Sequence, residues 1–309
     1  MNSGHNLSST RSASGSSGAD HVRIFWFEDF DVMPTTRWLQ QRGAFVSCSL
    51  SLGYLLAIYM GQWLMRGWRR IELRWPLFLW NSALALFALF GCCRMMPELL
   101  RTLYHKGFVH SICNPDFAYR NPTAFWTEMF MWSKVVELLD TLFVVLRKRP
   151  VIFLHWYHHI TVMMYTWHAC TEHTASGRWF ISMNYTVHAL MYAYYAARTV
   201  GFNRMPRWMP MSLTAIQLSQ MLIGCYIAAS AYWLKIGGRP DCHQSFENLY
   251  FCFGIYFTYG LLFAKFFWDA YLGPAAKRRR MEAVAAKGGG GDAKSTREPT
   301  KLQNNLKLD

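Results

Sequence analysis

The chain has 309 residues; 52% are hydrophobic, 17% aromatic and only 16% charged, with a formal net charge of +14. The apolar residues gather into runs long enough to cross a ~30 Å hydrocarbon core, which needs about 20 helical residues, so a soluble domain is a poor fit. The runs are continuous rather than alternating, which argues against a β-barrel.

Residues 1–20 are Ser/Gly-rich, have no apolar core, and read as a disordered tail without a cleavable signal peptide. Asn6-Leu7-Ser8 fits an N-glycosylation sequon, making Asn6 a candidate acceptor. Seven apolar runs follow, at 44–65, 75–96, 122–146, 151–170, 178–200, 207–234 and 246–272. The first, second and last are clean, and the others carry polar residues. The expected architecture is all-α: a polytopic membrane protein whose helices satisfy their own backbone groups in lipid. Residues 1–43 would be a largely disordered lumenal segment, 44–273 the membrane domain, and 274–309 a basic, disordered cytosolic tail. The tail ends with Lys307 third from the terminus, a half-match to a dilysine retrieval signal.

The positive charge is placed for topology rather than for nucleic acid. RGWRRIELR (66–74), RKRP (147–150), RTVGFNRMPR (198–207) and KRRR (277–280) all fall on one side of a seven-span chain. By the positive-inside rule that side is cytosolic, which puts the N-terminus in the lumen. Of the eight cysteines, Cys113 and Cys242 fall in polar connections on the oxidising side, where a disulfide is permitted.

The middle runs hold the chemistry. HWYHH places His155, His158 and His159 at i, i+3 and i+4, on one helix face. The run before it, KVVELLDT, sets Lys134, Glu137, Asp140 and Thr141 within a narrow helical sector. The short RKRP connection makes these two runs antiparallel neighbours. The carboxylates can then meet the imidazoles and set their tautomers. The next run places Asn184, His188, Tyr192 and Tyr195 on one stripe, and TAIQLSQ adds Thr214, Gln217 and Gln220. Polar groups at membrane depth are expensive and usually functional, so four stripes imply one buried site near the cytosolic face.

Three chemistries are open to such a site. A metal-dependent desaturase or hydroxylase uses HxxHH boxes, but only His155, His158, His159 and His188 lie at the right depth here, and there is no second box. A seven-span transporter or receptor would show broken helices or inverted repeats, which the middle runs lack. Acyl transfer without metal needs a neutral imidazole as nucleophile, a greasy tube for a fatty chain, and basic groups for an anionic carrier.

KVVELLDT, HWYHH, HALMYAYY and TAIQLSQ resemble, in order and spacing, the KxxExxDT, HxxHH, HxxMYxYY and TxxQxxQ motifs of the very-long-chain fatty acid elongases, the ELO-type 3-ketoacyl-CoA synthases. The resemblance covers residues from about 75 to 273. It implies condensation of acyl-CoA with malonyl-CoA to 3-oxoacyl-CoA, CO2 and CoA in the endoplasmic reticulum membrane. A ketoacyl reductase, a dehydratase and an enoyl reductase would be partners. It also implies six of seven spans ringing a tube, and no metal or permanently bound cofactor. Carried over by position, His158 is the nucleophile and His188 the second essential histidine. His155 and His159 orient, Glu137 and Asp140 fix tautomers, and Lys134 balances charge or stabilises an enolate. Asn184, Tyr192, Tyr195, Gln217 and Gln220 shape the pocket, and Lys148, Arg149, Arg204 and Arg207 are candidates for gripping CoA phosphates. FLHWYHHITV and MNYTVHALMYAYYAARTVGF look like the branch that extends saturated and monounsaturated chains. Trp167, Trp179 or Trp233 would stop the acyl chain at the far end.

Overall fold

A computed structural model describes residues 23–202, 205–206, 208–238, 241–274, 276–278 and 281–282. Among them the regular elements are all helical. In chain order they are α1 (Met33–Trp38), α2 (Ala44–Leu64), α3 (Arg74–Cys113), α4 (Thr123–Val136), α5 (Asp140–Leu146), α6 (Phe153–Thr171), α7 (Gly177–Thr199), α8 (Trp208–Ile236) and α9 (Phe246–Phe267). A helix covers each of the seven apolar runs. The third is split into α4 and α5 by a tightened 3-10 turn, Glu137–Leu139.

Four helical stretches are long and apolar enough to cross a membrane: Trp26–Leu64, Arg74–Cys113, Trp208–Ile236 and Phe246–Arg278. The sixth run, expected among the polar ones, is thus apolar enough on average. The stretches outside this set, α4–α5, α6 and α7, carry the Lys, Glu, Asp and His residues of the site. Those residues lower their mean hydropathy without shortening them. Large side chains such as Leu52, Leu56, Leu79, Leu222 and Leu261 point outward. That suits a protein whose solvent is lipid, where an outward leucine has nothing to gain by turning in.

The principal neighbours form a closed circuit: α3 packs on α4, α4 on α6, α6 on α9, α9 on α8, α8 on α7, and α7 on α3. Helix α2 lies outside this circuit, against α5 and α6. Two glycines permit the closest approaches. A Cβ on Gly91 would sit 2.5 Å from the Tyr185 ring, and one on Gly224 would sit 2.1 Å from the Tyr256 ring.

Two stretches differ from the sequence expectation. Residues 23–43, assigned to a largely disordered segment, form a short 3-10 turn (Trp26–Glu28), α1 and a π-turn that runs into α2. The reason is Glu28, fully buried and held by Arg94 and by Trp126 Nε1 at 2.7 Å, partners far away in sequence. The polar connection expected over 97–121 is instead helix as far as Cys113, interrupted at Gly107. There φ is +81°, a conformation that glycine adopts at no steric cost. Cys113 and Cys242 are joined by a disulfide, which ties the end of α3 to the α8–α9 connection.

Candidate active site

The polar stripes of α4–α5, α6 and α7 converge. Lys134, almost fully buried, donates to Glu137 Oε1 at 2.7 Å and to Asn184 Oδ1 at 2.9 Å, and lies over the Phe130 ring. Ser133 Oγ adds a second donor to Glu137 Oε1 at 3.2 Å. The His188 Nδ1 atom stands 3.7 Å from the same oxygen. A buried ammonium is tolerable in this place because one carboxylate neutralises it and one amide completes its bonding. The other carboxylate oxygen, Glu137 Oε2, and His159 Nδ1 are buried and have no hydrogen-bond partner among the described residues.

The imidazoles form a row. His155 and His159 have ring centroids 4.5 Å apart, and His158 and His159 5.5 Å. His158 lies 5.1 Å from the Tyr259 ring, whose hydroxyl donates to the His158 carbonyl at 3.2 Å and meets Thr161 Oγ1 at 2.5 Å. His188 meets the Tyr192 ring edge to face, with centroids 5.5 Å apart.

The carboxylate-to-imidazole pairing is met only in part. Glu137 faces His188, but Asp140 does not bond to the HxxHH imidazoles among the described residues. Its two oxygens accept from Trp80 Nε1 and Tyr192 OH, each at 2.6 Å. His155 Nε2 instead meets Thr141 Oγ1 at 2.8 Å, and Tyr54 OH reaches the same hydroxyl at 2.6 Å. Adjacent helical residues project about 100° apart, so Asp140 and Thr141 cannot both face α6. The 3-10 turn at Glu137–Leu139 swings Asp140 toward α3 and α7.

A cavity of about 80 Å³ runs from this cluster along α6. His158, Asn184 and Gln220 line it at one end. Its wall is apolar, with Phe180, Ile181, Ile255 and Tyr256, and the far end is lined by Phe117, His173, Thr174 and Gly177. The tryptophans expected to stop a chain do not line it. Trp167 packs between Trp38 and Trp132 at 5.8 and 5.4 Å, Trp179 donates to Ser111 Oγ, and Trp233 is exposed.

Other expected pocket residues fall outside the cluster. The Gln217 amide meets Met191 Sδ at 3.4 Å, and Tyr195 packs beside Tyr194. Thr214 Oγ1 bonds back to the Pro210 carbonyl. Lys148 Nζ donates to the Trp68 carbonyl at 2.9 Å, and Arg149 follows it in the same loop. Asn6, Arg204 and Arg207 lie outside the described residues. Among the described residues, no three His, Cys, Asp or Glu side chains converge as ligands of one metal ion would.

Sequence reasoning missed Tyr259, Thr161, Trp80 and Tyr54, because an aromatic or a threonine in an apolar run gives no signal of its own. It also missed a second polar cluster at the opposite end of the bundle. There Arg178, fully buried, donates to Glu98 Oε1 at 2.7 Å, to the Asn114 carbonyl at 2.7 Å and to Asp116 Oδ1 at 2.5 Å. Burial alone would raise the Asp116 carboxyl, but hydrogen bonds and charge from Lys106 and Arg178 outweigh it and hold the group down to about 2.

Comparison with known proteins places these motifs. The profile of the ELO: GNS1/SUR4 family matches residues 40–279. Very long chain fatty acid elongase 6 of Drosophila melanogaster is 46% identical over 267 residues, covering 85% of this chain and 84% of the relative. Its human namesake is 39% identical over 259 residues, 82% of this chain and 95% of the relative. Human very long chain fatty acid elongase 3 is 38% identical over 234 residues, 75% of this chain and 85% of the relative. The match spans the whole helical circuit and every polar stripe within it, and the chain belongs to the GNS1/SUR4 (ELO) family.

Proposed function

We propose that this chain is a fatty acid elongase, an acyltransferase of the 3-oxoacyl-CoA synthase type. It condenses a long-chain saturated or monounsaturated acyl-CoA with malonyl-CoA. The single observation that carries the mechanism is the position of His158, at the polar end of an otherwise apolar cavity. An acyl chain laid in that cavity presents its thioester to the imidazole.

In the first step a His158 nitrogen attacks the thioester carbonyl. The N–C bond forms, the C–S bond breaks, and CoA leaves as a thiol. In the second, malonyl-CoA loses CO2, and the electron pair of the broken C–C bond becomes an enolate. The enolate carbon attacks the acyl-imidazole, the C–N bond breaks, and His158 is restored as 3-oxoacyl-CoA departs. His188, beside Glu137, is placed to hold a proton at the reacting carbonyl. Lys134 supplies positive charge near the enolate, and His155 and His159 pack the nucleophile into orientation. Asn184, Gln220 and Tyr192 shape the pocket around them. Lys148, Arg149, Arg204 and Arg207 grip CoA phosphates. The seven helical runs are seven spans of the endoplasmic reticulum membrane, with the N-terminus lumenal and the C-terminus cytosolic. Six of them, α3, α4–α5, α6, α7, α8 and α9, form the tube. The product passes to a ketoacyl reductase, a dehydratase and an enoyl reductase. No resident cofactor is required.

The test uses microsomes containing this chain, labelled malonyl-CoA and saturated acyl-CoAs of graded length. Wild type is expected to yield labelled 3-oxo or elongated product, and His158→Ala to lose at least about a thousandfold in rate, as removal of a covalent nucleophile does. Full activity in His158→Ala, with normal membrane insertion, would sink the acyl-imidazole mechanism.

A further inference from the structure

We infer that His173 is the end-stop of the acyl cavity, the residue that sets the longest chain this enzyme accepts, and that a second pocket lies directly behind it. The inference rests on reading the cavity beside His158 as the acyl site.

His173 faces two separate spaces. It lines the far end of the ≈ 80 Å³ cavity, together with Thr174 and Gly177. It also lines a space of ≈ 580 Å³ beyond, whose other walls include Gln40, Glu172, Lys235 and Gln244. Among the described residues it is the one residue common to both linings. The imidazole therefore acts as a partition. An apolar wall lies on the His158 side, and a polar one lies behind.

The partition is held from three directions. Thr36 Oγ1, on α1, meets His173 Nε2 at 2.9 Å, and both side chains are buried. The Tyr119 ring packs at 4.5 Å. The His173 backbone has φ +48°, a left-handed conformation uncommon for a residue with a Cβ, which fixes where the loop between α6 and α7 presents the ring. A side chain held this firmly is a wall rather than a mobile loop residue.

Its depth suits the role. His158 and the end of α6 at Thr171 are separated by about 20 Å at the ~1.5 Å rise per helical residue. A long acyl chain anchored at His158 thus brings its methyl end to His173. Any carbon beyond that point must displace the imidazole. Once past, it enters polar surroundings that reward it little. Removing the wall should lengthen the accepted chain by a limited amount.

The test compares product chain lengths, by mass spectrometry, from microsomes given labelled malonyl-CoA and saturated acyl-CoAs of graded length. His173→Gly removes the ring and suits the left-handed backbone. His173→Asn shortens the side chain and also tolerates that backbone, so it should fold where a β-branched residue would not. Both are expected to leave turnover of short acyl chains unchanged and to carry the longest product at least one further round, more in the glycine variant. Thr36→Val, which loosens the clamp and leaves the ring, should give a smaller shift. An unchanged longest product in both His173 variants overturns the inference. So does loss of activity on short and long chains alike, because an end-stop must spare short ones. A wild-type chain that incorporates no malonyl carbon sinks the elongase reading itself, an outcome distinct from either.

Discussion

The two ends of the helical circuit both bury polar groups, and they do so in opposite ways. At the far end the currency is permanent charge. Arg178 is clamped by Glu98 and Asp116, Lys106 supports Asp116 at 2.9 Å, and the Cys113–Cys242 disulfide closes the same region. At the histidine end one ion pair, Lys134–Glu137, stands among imidazoles and hydroxyls. Charges matched in fixed geometry build a floor but leave nothing able to react. Imidazoles with spare nitrogens stabilise less and can take an acyl group or a proton. The difference indicates that stability is concentrated at one end of the cavity and chemistry at the other.

That division can be broken most forcefully at Arg178. Arg178→Met leaves Glu98 and Asp116 without their shared cation in a buried setting, and should cost about 3–5 kcal/mol. Thermal unfolding in detergent would read this as a large drop in midpoint. A drop no greater than that of a surface variant would mean the floor is held by the disulfide and packing instead.

Between the ends, Gly224→Ala would force a methyl to within 2.1 Å of the Tyr256 ring, which lines the cavity. The expected cost is about 1–3 kcal/mol, together with a narrower cavity that favours shorter acyl chains. Unchanged stability and unchanged product length would show that Tyr256 rotates away without consequence.

A gentler probe of the floor is acid. The Asp116 carboxyl is held down to about 2 in the folded protein against an ordinary 3.8. A depressed carboxyl contributes stability above its unfolded value, and that contribution is lost as pH falls toward the folded one. Solvent screening of this partly exposed group reduces its contribution, so stability should decline by about 1 kcal/mol between roughly pH 4 and pH 2 through it. In Asp116→Asn that part of the decline should vanish. A wild-type and variant profile that superimpose would remove Asp116 from the account.

The smallest effect is expected at the reactive end. Thr141→Val removes the hydroxyl that meets His155 and Tyr54. Two hydrogen bonds are lost, and the one to His155, at about 1.4 kcal/mol in the transition state, should lower kcat about tenfold. A variant that loses stability and keeps its rate would reverse the assignment of the two ends.

The relation between sequence and structure follows the same geometry. Spacing within a helix is set by 3.6 residues per turn, so HWYHH, KVVELLDT and the Asn184–His188–Tyr192 stripe were legible from sequence, as was the presence of every long helix, though not the extension of α3 to Cys113. Apolar run lengths determined the membrane class, and the cysteines placed on one side by topology are joined in the structure. What one helix does to another was not legible. Whether Asp140 faces an imidazole or Trp80 depends on the roughly 60° of added rotation that the three-residue 3-10 turn at Glu137 introduces, about 20° per residue. That rotation is decided by packing against α3 and α7. Glu28 with Arg94, Arg178 with Glu98, and Tyr259 with the His158 carbonyl pair residues some 66 to 101 positions apart, with no local pattern to announce them. The end of the cavity belongs to the same class. His173 became a wall only when α1, the α6–α7 loop and Tyr119 were brought together, because a boundary between two spaces is a property of the assembled helices and of no single one.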